Sequence, residues 1–184
     1  FGRGIIFARL LGTEQYGIYS LGLFMIFLMV TISSLGIHST FSRYIPLYET
    51  VVSVRCFLKR TYTLNILSSF AASLVIFIRR TDVSRLIYGS EEHGLVVAVA
   101  ACSIPLMVTV KNISGSFTGL KLFRASSVCD LTQMSLYAAI GIGAVLIWGN
   151  AVSVLGAFAV SILATVVVFS VLLRRYLIQM ERTY

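Results

Sequence analysis

Long apolar runs alternate with short charged connections along this chain. Ile18 to Ser42, Leu95 to Val110 and Ser135 to Val168 contain no Lys, Arg, Asp or Glu. A hydrocarbon core about 30 Å thick takes roughly 20 apolar residues of helix to cross. Runs of that length recur here, and the whole chain holds only 2 prolines to interrupt them. The pattern predicts spans near 1–11, 17–36, 61–78, 94–113, 131–148 and 152–173: about six helices, an all-α membrane bundle. The punctuation falls between them, at Gly12 to Gly17, Tyr44 to Leu47, Arg79 to His93, Gly115 to Asp130 and Gly149-Asn150. The chain opens at Phe1 inside an apolar stretch, without the basic start and small-residue cleavage site of a signal peptide. The expectation is a first span that lacks its beginning.

Composition agrees. Of 184 residues, 58% are hydrophobic and 12% charged, and the mean hydropathy is +0.92. A soluble domain keeps about a quarter of its residues charged. A soluble helical protein would need polar partners for these faces that the chain does not contain. Trp148, Tyr16, Tyr19, Tyr44 and Tyr88 stand near expected span ends, where aromatic side chains favour the membrane interface.

The formal net charge of +8 changes the picture only through its distribution. Arg43, Arg55, Lys59 and Arg60 lie between the second and third spans. Lys111, Lys121 and Arg124 lie between the fourth and fifth, and Arg174, Arg175 and Arg182 follow the sixth. These alternate connections hold 10 of the 15 basic residues. The Gly149-Asn150 turn has none, and the 79–93 connection balances three arginines against Asp82, Glu91 and Glu92. The positive-inside rule then places the basic connections in the cytoplasm, and the cell (cytoplasmic) membrane is the expected location. No nucleic-acid-binding pattern accompanies the charge, so no nucleic-acid partner is expected.

Cys56, Cys102 and Cys129 are an odd number, widely spaced, and His38 and His93 stand alone. Neither a disulfide framework nor a metal site follows, and no cofactor motif is present. The seven acidic residues fall in expected loops or at span ends, whereas ion-coupled carriers place a carboxylate at membrane depth. Without a carboxylate pair, a nucleophile triad or a phosphate-cradling loop, an enzyme is not expected. Ser68/Ala72, Ser69/Ser73, Gly115/Gly119 and Gly141, Gly143 and Ala144 suit close helix packing.

Arg3 and Arg9 differ from the other basic residues, because they sit in the apolar first segment. An arginine at the centre of a membrane helix costs roughly 2.5–3.5 kcal/mol on insertion scales. It persists where it faces a cavity, a partner or the interface. Arg9, less than a turn before Gly12, has two readings: it snorkels to the interface, or it grips phosphate with the paired hydrogen bonds of a guanidinium. Arg3 lies deeper and is harder to explain by snorkelling.

The stretch Ala8-Arg9-Leu10-Leu11-Gly12-Thr13-Glu14-Gln15-Tyr16-Gly17-Ile18-Tyr19-Ser20 resembles the junction of the first two spans in the polysaccharide-biosynthesis flippases. These are O-antigen-type exporters of the multidrug/oligosaccharidyl-lipid/polysaccharide superfamily, where the usual form is A-R-x-L-G-P-E-E-[FY]-G-x-Y. Thr13 and Gln15 depart from it mildly. Ser34-Leu35-Gly36-Ile37 with Ser42-Arg43-Tyr44-Ile45, and Phe117 to Arg124, are similar to two further stretches of that family.

The resemblance implies a transporter of 12–14 helices in two bundles, of which this chain would be the N-terminal one, working with a C-terminal bundle of the same protein. The implied substrate is a polyprenyl-pyrophosphate-linked oligosaccharide, turned across the membrane by alternating access. Glycosyltransferases and a polymerase of the same pathway are the implied partners besides the lipid bilayer. By motif, Arg9 matches the family's arginine and so does Arg43, which also suits a cytoplasmic anchor. Arg3 joins them as a substrate-binding candidate by depth alone. A drug or metabolite cation antiporter of the same superfamily is the alternative. A membrane enzyme or scaffold beside glycosyltransferases is a third class, disfavoured by the missing catalytic constellation.

Overall fold

The computed structural model describes the backbone of residues 2–34, 36–47 and 51–183, with side chains from residue 4 onward except 38, 39, 51, 52 and those from 180. Among the described residues every element is helical: α1 (Gly2–Ser34), α2 (Ile37–Tyr44) with a following 3-10 turn (Ile45–Leu47), α3 (Val51–Ile78), α4 (Arg80–Tyr88), α5 (Gly94–Gly119), α6 (Phe123–Trp148) and α7 (Ala151–Thr183). Five of these helices, α1, α3, α5, α6 and α7, are long and apolar enough to cross a membrane. The protein is an all-α membrane bundle.

Gly12 divides the first of these five helices into two arms, so the six apolar segments of the sequence are the two arms of α1 together with α3, α5, α6 and α7. Gly12 interrupts α1 with φ 76° and ψ 170°, a conformation essentially confined to glycine because any Cβ is strained there. The chain folds back at that point. Phe7 and Tyr19 are 12 residues apart, about 18 Å along a straight helix, yet their ring centroids lie 5.7 Å apart. The second arm, residues 13–34, is about 33 Å long, enough to cross a hydrocarbon core. Phe7 also meets Tyr137 of α6 (centroids 5.9 Å), across Gly141, where a Cβ would lie 2.8 Å from the Phe7 ring.

The centre of the bundle is α5, which packs against α1, α2, α3, α4, α6 and α7. Its small residues explain this: Ala98, Ala100, Ala101 and Ser103 are buried on one length of helix and let neighbouring backbones approach. By contrast α3 turns Leu64, Leu67, Phe70, Leu74, Val75 and Ile78 outward, an apolar face suited to lipid.

Hydrogen bonds fasten α3 to the centre. Pro105 in α5 has no N–H, so the Ala101 carbonyl one turn earlier loses its helical donor. The Ser73 hydroxyl of α3 donates to that carbonyl at 2.6 Å. Further along the same seam Asn65 Nδ2 donates to Asn112 Oδ1 at 2.7 Å, and Tyr62 and Ser116 share a hydroxyl contact at 2.9 Å. Ser68 donates to the Ser33 carbonyl at 3.0 Å, tying α3 to the end of α1.

At one end of the bundle Phe41, Ile45, Val54 and Leu58 form a small second core with Leu120 and Leu177. The basic residues of α2, the start of α3, the α5–α6 turn and late α7 therefore gather at the same end. At the other end Gln15 accepts from the Ala151 N–H at 3.2 Å, and the Tyr88 hydroxyl of α4 donates to the Ile18 carbonyl at 3.2 Å. Burial pushes the Tyr88 phenol up to about 12, so it keeps its proton, and this bond, through the physiological range. Arg79–Asp82 at 3.1 Å and Arg85–Glu91 offset positive charge there.

The Pro105–Ser73 pairing makes a clean test. Ser73→Ala leaves the Ala101 carbonyl unpaired in an apolar seam and should lower unfolding stability in detergent by about 1–2 kcal/mol. In a Pro105→Ala background, where the restored N–H satisfies Ala101, the same change should cost close to nothing. Equal losses in both backgrounds would dismiss the compensation.

Candidate functional site

The first arm of α1 buries Phe7 and Leu11, one turn apart, and turns Ile5, Ile6, Arg9 and Leu10 outward. Arg9 thus lies on the outer face of this bundle, three residues from the Gly12 fold. The backbone of Arg3 is nine residues, about 14 Å, from that fold; its side chain is outside the described residues. Arg43 ends α2 at the opposite, basic end, exposed, with its guanidinium 6.0 Å from the centre of the Tyr44 ring. The second arm of α1 separates the two ends by roughly 33 Å. Arg9 and Arg43 therefore cannot grip the same phosphate group in this conformation, and Arg9 shares only its arm with Arg3.

What the fold does bring together was read differently from the sequence. The apolar pattern ends the fourth span at 113, just past Lys111, and puts Asp130 in the connection that follows, but α5 runs to Gly119 and α6 begins at Phe123. Both residues are helical, about two turns in from the α5–α6 turn. The polar residues that follow the apolar run stay within the helices, where their side chains bond to neighbouring turns and across to other helices. Ser116 donates to the Asn112 carbonyl at 2.7 Å, and the single Thr118 hydroxyl proton serves either the Ser114 carbonyl or Ser126 Oγ, each at 3.1 Å. Lys111 and Asp130, with Ser42, Ser114, Gly115, Thr118 and Ser126, line a cavity of about 380 Å³. Ser114 Oγ donates to Asp130 Oδ2 at 3.3 Å and lies 2.9 Å from Ser126 Oγ.

A second cavity of about 470 Å³, lined by Ala144, Trp148, Asn150, Gly156 and Val160 among others, opens between α6 and α7 at the other end. Its walls are mostly apolar, and it offers no convergent charge. No group of three or more His, Cys, Asp or Glu able to hold a metal ion occurs among the described residues.

A family model described as polysaccharide biosynthesis protein matches residues 1–184. The chain belongs to the polysaccharide biosynthesis protein family. No curated protein and no solved structure matches it.

For this family member the match joins the fold in one statement: a multi-pass membrane protein of the polysaccharide-transporter type, set in a lipid bilayer. The residues that sequence reading missed, Lys111 and Asp130, carried a signal nonetheless. They lie 19 positions apart, on either side of a Ser/Thr-rich stretch with a single glycine-ended turn at Gly119. A two-helix hairpin about that turn makes such positions face one another.

Gly119 is a point of close approach between α5 and α2. A Cβ there would lie 2.5 Å from the Phe41 carbonyl oxygen and 2.6 Å from the Ile45 side chain. Gly119→Ala should push α2 off α5 and cost roughly 1–3 kcal/mol, read as lowered thermal stability together with faster proteolysis in the 37–47 segment. A variant of unchanged stability would show that α2 rests on α5 only loosely.

Proposed function

We propose that this protein flips or exports a polyprenyl-pyrophosphate-linked oligosaccharide across the cytoplasmic membrane, as one bundle of a two-bundle transporter working by alternating access. The observation that carries the reading is the family match over residues 1–184. The gathering of the basic residues at one end supports it by giving the bundle an orientation: that end faces the cytoplasm, where lipid-linked glycans are built. Arg9, and Arg3 with it, would meet the pyrophosphate on the outer face of the first arm, toward the second bundle. Arg43, at the far end, would act at loading or as an anchor among lipid headgroups. Pathway glycosyltransferases and a polymerase are the partners such a transporter would serve.

One observation favours a second reading, a drug or metabolite cation antiporter. Asp130 stands about two turns inside α6, and a carboxylate at that position is what an ion-coupled carrier requires. Reconstituted vesicles separate the two readings. Movement of a fluorescent polyprenyl-pyrophosphate glycan between leaflets supports the first, and proton-driven efflux of organic cations without lipid movement supports the second.

Orientation is testable by labelling. In a variant whose own three cysteines are replaced by serine, a cysteine at Asn150 should react with an impermeant reagent from outside intact cells, and one at Arg124 should not. Labelling at position 124 from outside would invert the topology.

If Arg9 grips pyrophosphate, Arg9→Lys should reduce glycan transport at matched membrane abundance about tenfold, because an ammonium cannot reproduce the planar two-pronged contact. Normal transport by Arg9→Lys would leave Arg9 as an interface anchor.

A further inference from the structure

The cavity between α2, α5 and α6 differs from the mostly apolar one between α6 and α7 in carrying charged side chains on its lining. Here an ammonium, a carboxylate and four hydroxyl side chains share one wall of about 380 Å³, and among the described residues no ion pair joins Lys111 to Asp130. Three of the hydroxyls and the carboxylate are already linked in one chain, Thr118 to Ser126 to Ser114 to Asp130. Such a chain fixes side-chain directions before a ligand arrives.

The donor and acceptor inventory decides the ligand. A carboxylate only accepts, an ammonium only donates, and hydroxyls do both. A free phosphate would meet the Asp130 charge, and a simple cation would meet that of Lys111. A neutral ligand carrying adjacent hydroxyl groups satisfies all of them, accepting from Lys111 and donating to Asp130. The volume lies at the low end of small-ligand sites, roughly 300–1,000 Å³, and Gly115 offers bare backbone on one wall. The cavity also opens near the α5–α6 turn, at the basic end.

We propose that this cavity is a sugar subsite, in which Asp130 and Lys111 hold one monosaccharide unit of the lipid-linked glycan at the loading side of the bundle. The proposal rests on the glycan-flippase reading above and deepens it. It separates the two jobs of substrate recognition: the pyrophosphate is left to the arginines, and the glycan is read by neutral hydrogen bonding about two turns inside the helices.

The test is binding to the protein in nanodiscs. The probes are bare polyprenyl pyrophosphate and the same lipid carrying one hexose, one N-acetylhexosamine or one 6-deoxyhexose. The unaltered protein should bind at least one glycosylated lipid about tenfold more tightly than the bare lipid. Asp130→Asn and Lys111→Met should each remove that preference and change affinity for the bare lipid less than twofold. Should either variant fail to fold, Ser114→Ala, which loosens Asp130 without altering charge, replaces it with the same expected loss of preference. Equal binding of all four lipids by the unaltered protein, or variants that weaken every lipid alike, would overturn the subsite and leave the flippase reading standing. Binding of none of the four would overturn both.

Discussion

A backbone carbonyl buried among apolar helices needs a donor, and the placement of α3 answers one such need. Pro105 frees the Ala101 carbonyl in the middle of the most buried helix, and the Ser73 hydroxyl supplies the missing donor at 2.6 Å. That contact sets both the axial register and the rotation of α3 on α5. With Ser73 seated, Asn65 comes opposite Asn112 and Tyr62 opposite Ser116. The outward face of α3 then has to be the apolar one. Apolar helices have no hydrophobic reason to choose one neighbour over lipid, so directional bonds of this kind, together with small residues, determine which helices meet.

The same logic extends to the two ends. Gly119 lets the Phe41 backbone lie directly against α5, and this close approach seats α2 among Val54, Leu58 and Leu120. Basic residues from four separate parts of the chain are thereby held at a single end. The opposite end is closed by side-chain bonds to backbone, from Tyr88 to Ile18 and from Ala151 to Gln15. A bundle polarised in this way can take one orientation in a membrane, which any directional movement of substrate requires.

Recognition of a lipid-linked glycan places two unlike demands on a protein: charge for the pyrophosphate, and neutral, directional bonding for the sugar. The residues proposed for the two demands lie apart. Arg9 lies on an outer face near the Gly12 fold, while Lys111 and Asp130 share a cavity with hydroxyls close to the basic end. In the proposed scheme an anionic headgroup and a polyhydroxy chain attached to it would be met at different heights of the bundle.

Fold class and membrane character were legible without coordinates, because both are sums over many residues: long uncharged runs can be satisfied only as helices in lipid. The family was legible too, through the Arg9 to Tyr19 junction, since a short motif is a local property. The folding back of the first arm on the second was not. Gly12 reads as a loop residue, and whether a glycine ends a helix or folds it back depends on what the two arms touch, here Tyr19 and Tyr137 around Phe7. Nor were Lys111 and Asp130 legible as a pair. Hydropathy assigns a charged residue to the nearest loop, but α5 runs to Gly119 and α6 begins at Phe123, so both positions stand within helices. The pattern of residues determined what each segment is; which side chains share a cavity was decided only by the crossing of helices far apart in sequence.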